Sequence, residues 1–359
     1  MRHRFHAICP YFAMFPEQFV RKHLVWSQLG DWVFDPFSGR GTTIFESLLN
    51  HRQAAGCDTN SVAVCISRAK GSPPARQDAL SRLDQLQKAY APQEEPEPSE
   101  FFRLCFHPKS LGQLLYLRRS LQWQADPVDC FLAALALGCL HGESHRSKRY
   151  FSNRMPRTIS TKPDYSVRWW RHHGYEPPER EVFSILRGEI DYRFLTPPPK
   201  GTGEVLQGDV RTASLLFPAL AGQVKLVITS PPYLDTTHFT EDQWLRLWFL
   251  GGEERPKRIP YSDDRHTSVT NYWRFLQESW AGIRGLLSPD AHLIIRIGGA
   301  KIGLEEITEG LLRSMQEGLD NSLSVFGRKK SEISGGQVRS FQTKVKGPRF
   351  EYDFHYQLG

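Results

Sequence analysis

The sequence predicts an α/β fold of the Rossmann-like type, with a mixed sheet that an antiparallel ribbon closes and with a helical and basic insert. Residues 32–34 and 54–58 are strand-like and flank the amphipathic segment 44–51. Residues 224–228 form a short apolar run that is typical of a buried strand. Alternating apolar and polar residues near the carboxyl terminus predict the ribbon, at positions 323–326, 338–343 and 350–358.

The remaining elements follow from the same patterns. Apolar residues at helical spacing predict helices at residues 61–70, 111–121, 128–140, 244–250, 271–287 and 305–317. Two further apolar runs predict strands at residues 204–209 and 292–297. Together they supply the strands and covering helices that a layered α/β domain needs.

Length, charge and cysteine usage limit the class of protein. A chain of 359 residues can bury one large core or two smaller ones. The formal charge of +7 favours a polyanionic partner. The six cysteines show no C-x-x-C spacing, which predicts reduced core thiols and no metal site. No apolar run reaches the length of a membrane span and the first residues lack a signal-peptide core, so we expect a cytoplasmic protein.

A glycine turn joins the first predicted strand to the first predicted helix. Gly39 and Gly41 allow the backbone to approach a ligand, and free N–H groups at the helix start are expected to face it. The second strand ends at Asp58, 23 residues after Asp35, close to the spacing of a carboxylate that binds ribose hydroxyls. The pattern predicts a nucleoside-containing cofactor, and a ligand-free βαβ unit is the alternative.

The start of this turn favours one nucleoside cofactor over another. It opens with Asp35-Pro36 and lacks the third glycine of G-x-G-x-x-G. An acid at the strand end repels a pyrophosphate and attracts an ammonium group. S-adenosylmethionine, with its cationic amino-acid tail, therefore fits better than NAD. The following helix begins with Thr43-x-x-Glu46, which resembles a capping box.

A double-proline corner ends the strand at residues 224–228. Pro231 and Pro232 each remove a backbone donor and fix φ, so the strand stops there. The corner presents the Ser230 hydroxyl, the Pro231 carbonyl and the Tyr233 ring, which suit a planar amino group and an aromatic base held face to face. We expect a pocket for a nucleobase that is turned out of its stack. An ordinary turn at a strand end is the alternative.

The segment from Asp35 to Thr43, D-P-F-S-G-R-G-T-T, together with S-P-P-Y at 230–233 resembles the amino DNA methyltransferases, which act on cytosine N4 or adenine N6. The resemblance implies a methyltransferase fold with a mixed seven-stranded sheet and S-adenosyl-L-methionine as the cofactor. The implied catalytic residues are Ser230, Pro231, Pro232 and Tyr233. The candidate cofactor-binding residues are Tyr11, Phe15, Pro16, Asp35, Pro36, Ser38, Gly39, Gly41, Thr42, Asp58, Asn60 and Asp209.

Two of these assignments have a structural alternative. The aromatic, proline-punctuated residues 10–16 resemble the family's amino-terminal motif, which packs against the methionine end, but such a segment also packs on a core. Asp209 ends the predicted strand 204–209, at a place where the family uses an acid. It is expected to accept a hydrogen bond from the adenine amino group, and a simple turn aspartate is the alternative.

Proline-rich segments at residues 91–100 and 195–203 bracket the insert. We expect residues 1–90 and 201–359 to form the catalytic domain and residues 91–200 to form an inserted subdomain for target recognition. Its second half interleaves cations with aromatics, which suits phosphate contacts and base stacking. The candidate nucleic-acid-binding residues are Arg146, Lys148, Arg149, Arg154, Arg157 and Lys162. A solvated basic surface is the alternative.

The resemblance implies a site-specific enzyme that moves a methyl group from S-adenosylmethionine to the N4 of a flipped cytosine in duplex DNA. Serine at the first motif position tends to accompany cytosine N4 within the family. Adenine N6 is the near alternative. An RNA guanine-N2 methyltransferase and a non-catalytic nucleic-acid-binding protein are the others. The expected partner is double-stranded DNA, with or without a cognate restriction endonuclease.

Overall fold

The computed structural model describes residues 2–11, 15–93, 97–155, 162–234, 243–255, 268–298, 302–320, 323–332 and 350–359. The chain forms two compact units. The first comprises Met1–Phe12, Arg68–Pro198 and His238–Arg258. The second comprises Ala13–Ser67, Pro199–Thr237 and Ile259–Gly359. The assignment of residues 91–200 to target recognition stays a prediction.

The helices and strands have the following bounds. The helices are α1 (Glu17–His23), α2 (Thr42–Leu49), α3 (Ser61–Gly71), α4 (Arg76–Ala89), α5 (Glu100–Cys105), α6 (Pro108–Ser120), α7 (Pro127–Cys139), α8 (Pro163–His173), α9 (Val182–Phe194), α10 (Ala213–Leu216), α11 (Trp244–Phe249), α12 (Val269–Ile283) and α13 (Leu304–Leu319). The strands are β1 (Trp32–Asp35), β2 (Gln53–Asp58), β3 (Glu204–Gln207), β4 (Val224–Thr229), β5 (Leu287–Gly298), β6 (Leu323–Glu332) and β7 (Phe350–Leu358).

The second unit is built on a seven-stranded sheet with the order β3-β2-β1-β4-β5-β7-β6. Neighbouring strands from β3 to β5 run parallel, and β7 is antiparallel to both β5 and β6. This topology confirms the Rossmann-like methyltransferase fold with a carboxyl-terminal antiparallel ribbon. The strand predicted at residues 338–343 lies outside the described residues.

Both faces of this sheet are covered, because side chains along a strand alternate between its faces. Phe34 and Val227 pack with Trp280 of α12 in one large cluster. Their strand neighbours Val33 and Leu226 face the other way, into a cluster that also contains Phe19, Val20 and Leu24. The parallel strands are therefore continuously apolar, as expected for a sheet that is buried on both sides.

The boundary between α12 and β5 differs from the sequence prediction. Ser268 caps α12 by accepting a hydrogen bond from the Asn271 N–H over 3.1 Å, and the helix ends at Ile283. The predicted helix continued to residue 287. Leu287 instead begins β5, because it pairs with Val224 of β4. Strand pairing across the sheet overrides the local helical pattern here.

The first unit contains helices α4 to α9 and α11. The predicted helices at 111–121 and 128–140 are confirmed as α6 and α7. Helices α4, α5, α8 and α9 were not predicted, and in α8 the cations and aromatics concealed the apolar spacing. The fully buried Trp170 of α8 contacts Phe101, with 5.5 Å between ring centroids. Among the described residues, no helix is long and apolar enough to span a membrane.

Candidate cofactor and catalytic site

Four of the predicted site residues lie at the carboxyl ends of neighbouring parallel strands in the second unit. Asp35 is the last residue of β1 and Asp58 the last residue of β2. Asp209 lies two residues after β3, and Ser230 directly follows β4. The strand order places β3, β2, β1 and β4 side by side. In open α/β sheets this edge is where ligands bind.

A direct hydrogen bond joins the two predicted motifs. The Thr229 hydroxyl at the end of β4 donates to Oδ1 of Asp35 at the end of β1, over 2.6 Å. The Phe37 N–H donates to the same oxygen over 3.2 Å. The glycine turn and the double-proline corner therefore leave the sheet from bonded positions on adjacent strands.

The second oxygen of the Asp35 carboxylate has no donor among the described residues. Asp35 is 1% exposed, and burial raises its pKa to about 6 against the opposing effect of the hydrogen bonds from the Thr229 hydroxyl and the Phe37 N–H. The Thr43 hydroxyl donates to the Ile228 carbonyl over 3.0 Å. In the part of the chain that the structure describes, no donor reaches Asp35 Oδ2. A buried acceptor without a donor is costly, so this oxygen is suited to accept a hydrogen bond from a ligand.

The glycine turn is held by bonds within the protein. The Gly39 N–H donates to Asp58 Oδ2 over 3.0 Å, and the Ser67 hydroxyl donates to the Gly39 carbonyl over 2.8 Å. Gly41 has a φ of 69°, and a Cβ there would lie 2.9 Å from Cα of Ser67. The Gly41 N–H donates to the Ser38 carbonyl over 2.7 Å. Both glycine N–H groups are thus used internally, and the turn contributes shape to the site.

Ser38 adds a second buried polar atom to this edge. Its N–H donates to the Cys57 carbonyl over 3.0 Å, which fixes the turn against β2. Its hydroxyl is buried and has no hydrogen-bond partner among the described residues. Together with Asp35 Oδ2, it gives the site two unpaired polar atoms. This is what a polar amino-acid moiety such as the methionine part of the predicted cofactor requires, so the residues present fit that group.

Asp58 and Asn60 shape the end of β2. Asp58 Oδ1 accepts a hydrogen bond from the Asn60 N–H over 2.9 Å, and burial raises the pKa of the Asp58 carboxyl. Asn60 Oδ1 accepts from the Val62 N–H over 2.9 Å at the start of α3. A carboxylate oxygen can accept more than one hydrogen bond, so these contacts leave capacity for ribose hydroxyls. Ribose binding stays a prediction.

The predicted capping box at the start of α2 is wrong. The helix begins after Gly41, and no side chain caps it. Thr43 is occupied with the Ile228 carbonyl. The fully buried Glu46 accepts two hydrogen bonds from Arg21 of α1, over 2.7 and 3.0 Å. A charge-assisted bidentate pair is stronger than a bond to a helix N–H, so Glu46 faces α1.

The other predicted cofactor residues have structural partners. The Thr42 hydroxyl accepts from Arg40 Nε over 3.2 Å, and the Pro36 carbonyl accepts from the Cys57 thiol over 3.6 Å. Phe15 is 8% exposed and packs in the cluster that contains Phe19 and Val20 of α1, and Pro16 immediately precedes α1. The buried Tyr11 belongs to the first unit. Contact between any of these residues and the cofactor stays a prediction.

The double-proline corner forms a part-buried chain of hydrogen bonds. The Ser230 hydroxyl donates to the Tyr233 hydroxyl over 3.2 Å, and the Tyr233 hydroxyl donates to Glu351 Oε1 over 2.9 Å. The Tyr233 ring is 8% exposed and packs in the large cluster of the second unit. Pro231 is buried and Pro232 is half-buried. A stacking role for Tyr233 stays a prediction.

Sequence reasoning missed the charged residues behind this corner. Glu351 and Asp353 lie on β7, and Arg296 lies on β5 opposite Asp353. Arg296 binds both oxygens of Asp353, over 2.6 and 2.9 Å, and lies 3.5 Å from Glu351. Burial raises the pKa of Glu351, while the Arg296 charge and the hydrogen bond from Tyr233 oppose that rise. The available signal was the pair of acids at the first two polar positions of an alternating strand.

Asp209 is engaged by a neighbour. Arg211 donates to Asp209 Oδ1 over 3.0 Å and to Oδ2 over 2.6 Å. Asp209 Oδ1 also accepts from the Arg211 N–H over 3.0 Å. An adenine amino group would have to share these oxygens with Arg211, and that role stays a prediction.

The candidate nucleic-acid residues of the insert differ in their surroundings. Arg146, Lys148 and Lys162 are exposed, and Arg146 pairs with Glu143. Arg149 and Arg154 are half-buried; the guanidinium of Arg149 binds Glu189 and that of Arg154 binds the Tyr175 hydroxyl. Arg157 lies outside the described residues. Nucleic-acid contact by any of the six residues stays a prediction.

Comparison with known proteins supports the predicted family. The model of the N6/N4 methyltransferases, described as DNA methylase, matches residues 3–68, a segment that includes the first motif and ends before the second. An orphan methyltransferase of Bacillus amyloliquefaciens, M.BamHII, is 47% identical over 47 residues, which are 13% of this chain and 18% of that relative. The resemblance to the amino DNA methyltransferases is confirmed over this segment, and the family implies S-adenosyl-L-methionine as the cofactor.

Solved structures share only a distant likeness with the chain. TrmN from Thermus thermophilus is 11% identical with a TM-score of 0.36, covering 96% of this chain and 48% of that one. The rRNA methyltransferase aviRa from Streptomyces viridochromogenes is 12% identical with a TM-score of 0.34, covering 97% and 87%. A SAM-dependent methyltransferase from Methanosarcina mazei is 8% identical with a TM-score of 0.38, covering 97% and 99%. The fold is defined here by the strand order of the chain itself.

Proposed function

We propose that this chain is an S-adenosylmethionine-dependent DNA methyltransferase that acts on the exocyclic N4 of a cytosine turned out of duplex DNA. The hydrogen bond between Thr229 and Asp35 carries the proposal, because it joins the glycine turn of the matched family segment to the Ser230 corner. A donor site and an acceptor site for one methyl group must be neighbours.

The chain's own residues account for binding and orientation. Bound S-adenosylmethionine supplies a methyl group on a cationic sulfur. Asp35 Oδ2, which has no donor among the described residues, accepts from the ammonium group of the cofactor. Ser230 Oγ and the Pro231 carbonyl accept the two N–H groups of the base, which localises the nitrogen lone pair for attack. The amine nitrogen loses its extra proton after the methyl group has been transferred.

We further propose that residues 1–90 and 201–359 carry this reaction and that residues 91–200 contact the target DNA. The exposed cations Arg146, Lys148 and Lys162 support the second assignment. Because phosphate contacts release counterions, raising salt from about 50 to 200 mM should weaken DNA binding on the order of a thousandfold. DNA binding that does not change with salt would refute the assignment of these cations to DNA contact. Base flipping, a cytoplasmic location and a partner restriction endonuclease remain predictions.

The test is to incubate unmethylated duplex DNA, or RNA, with methyl-labelled S-adenosylmethionine and to digest the product to nucleosides. Labelled N4-methylcytosine is the expected product. Labelled N6-methyladenine would move the target to adenine, and label in RNA alone would favour an RNA methyltransferase. With no label in either polymer, a binding role without catalysis would replace the proposal.

A further inference from the structure

The part-buried hydrogen-bond chain from Ser230 through Tyr233 to Glu351 has a defined direction. A carboxylate only accepts hydrogen bonds, so the single proton of the Tyr233 hydroxyl points to an ionised Glu351. The Ser230 hydroxyl must then donate its proton to the Tyr233 oxygen. Its two lone pairs remain available as acceptors for a substrate amine.

Protonation of Glu351 reverses this direction. A carboxylic acid donates to Tyr233, which turns its own proton toward Ser230 and occupies one lone pair of that oxygen. The Ser230 hydroxyl is then free to point at the substrate, where it repels an N–H group. The ionisation state at one end of the chain thus decides whether the other end is an acceptor.

We propose that Glu351 is a positioning residue that, through Tyr233, fixes the Ser230 oxygen as the acceptor for the substrate amine. The inference rests on the proposed function. Glu351 is set for this role by its place on β7, where its oxygen lies 2.9 Å from Tyr233. No residue of the matched family segment 3–68 takes part in this series of hydrogen bonds.

Ionisable residues on its own strand β7, on β5 and at the double-proline corner lie near Glu351. Arg296 of β5 lies 3.5 Å away, Asp353 shares its strand, and Tyr233 approaches from the corner. On β6 the backbone of Ser331 pairs with Glu351, and the charged Lys329 pairs with Asp353 two positions away. Arg296 favours the ionised form of Glu351, and Asp353 opposes it but is itself bound to Arg296 by two hydrogen bonds.

The test compares the pH dependence of single-turnover methyl transfer in the wild type, Glu351→Gln and Asp353→Asn. Unmethylated plasmid DNA and saturating labelled S-adenosylmethionine are used, so that titration of Asp35 does not act through cofactor binding. We expect the wild-type rate to rise about tenfold per pH unit below the pKa of Glu351 and then level off. Glu351→Gln should be slower by roughly ten- to a hundredfold and independent of pH in that range.

Asp353→Asn is the matched control, because it changes the same strand and the same Arg296 partner without touching Tyr233. It should keep the pH-dependent rise in rate, with the midpoint moved toward lower pH because a negative charge that raises the pKa of Glu351 is removed. Tyr233→Phe, which cuts the chain with little change in volume, should abolish the further effect of Glu351→Gln in the double variant. Wild-type pH dependence in Glu351→Gln, or the same loss in Asp353→Asn, would overturn the proposal. If the wild type transfers no methyl group at all, the proposed function itself fails.

Discussion

The Thr229 hydroxyl lies 2.6 Å from the Asp35 carboxylate and donates a hydrogen bond to it across the β1–β4 boundary. The two residues are 194 positions apart in the chain, yet each ends a parallel strand next to the other. The bond occupies one carboxylate oxygen, and the other has no donor among the described residues. The bond therefore holds the glycine turn and the double-proline corner next to each other.

Asp35→Asn should weaken cofactor binding and remove its pH dependence. Because burial raises the pKa of Asp35 to about 6, the free protein loses the carboxylate charge as pH falls through that value. Wild-type affinity for S-adenosylmethionine should therefore fall about tenfold per pH unit below pH 6. The variant should bind at least about tenfold more weakly at pH 8, with a flat profile, as measured by titration calorimetry.

Asp35→Asn should weaken cofactor binding at pH 8 but should not lower the free energy of unfolding at that pH. A raised carboxyl pKa means that the folded state binds more protons than the unfolded state, so stability falls as pH rises from about 4 to 6. The charged Asp35 then costs roughly 2–3 kcal/mol above pH 6. Denaturant unfolding should find Asp35→Asn at least as stable as the wild type at pH 8 and relatively less stable at pH 4. A variant that is less stable at pH 8 would contradict this.

Thr229→Val should raise the pKa of Asp35 further, because the hydrogen bond from Thr229 holds that pKa down. The pH at which cofactor affinity falls should move upward, while Thr229→Ser, which keeps the donor, should restore the wild-type value. The measurement is the pH dependence of the dissociation constant. If the pH profiles of the Thr229→Val and Thr229→Ser variants were identical, the hydrogen bond from residue 229 would not control the pKa of Asp35.

Gly41→Ala should disrupt the glycine turn. The left-handed φ of 69° costs an alanine roughly 1–2 kcal/mol, and its Cβ would also meet the Ser67 backbone at 2.9 Å. Gly222→Ala is the matched control, since its φ is 66° and no atom lies within 4 Å of its Cβ. Thermal unfolding should show a larger loss for Gly41→Ala, and only that variant should lose cofactor affinity. Equal effects would mean that the close approach is unimportant.

The basic residues of the insert should separate into two groups. Neutralising the exposed Lys148 or Lys162 should reduce the salt slope of DNA binding by about one each. Arg149→Gln should instead lower stability, because it removes one of the two arginines that bind Glu189 in the described part of the chain. Arg76→Gln, an exposed cation of the same unit paired with Asp191, is the control and should leave the slope unchanged. A constant slope in both lysine variants would remove them from the interface.

Much of the fold was predictable because its signals are local. The runs at 32–34, 54–58 and 224–228 are apolar enough to identify parallel strands, and the alternation at 350–358 identifies the antiparallel one. Helix α8 was missed because the buried Trp170 sits among exposed cations, so composition concealed the helical period.

Site residues were predictable where they lie in one short segment, and they were not predictable where they contact residues far away in the sequence. The Asp35 turn and the Ser230 corner are read from consecutive residues. Glu351 lies 118 residues beyond Tyr233, and only the register of β7 against β5 brings them together. Glu46 likewise has a sequence context for capping, but the approach of Arg21 from α1 decides its partner. Such contacts depend on tertiary packing.

The central claim is that the glycine turn and the double-proline corner are neighbouring parts of one methyl-transfer site with separate tasks. Ser230→Ala tests it most directly, by single-turnover methyl transfer to unmethylated duplex DNA together with the dissociation constant for S-adenosylmethionine. We expect transfer to slow by about a hundredfold, since an acceptor for the amine is lost, while the dissociation constant stays within about twofold. An unchanged rate, or loss of cofactor binding in this variant, would contradict the claim.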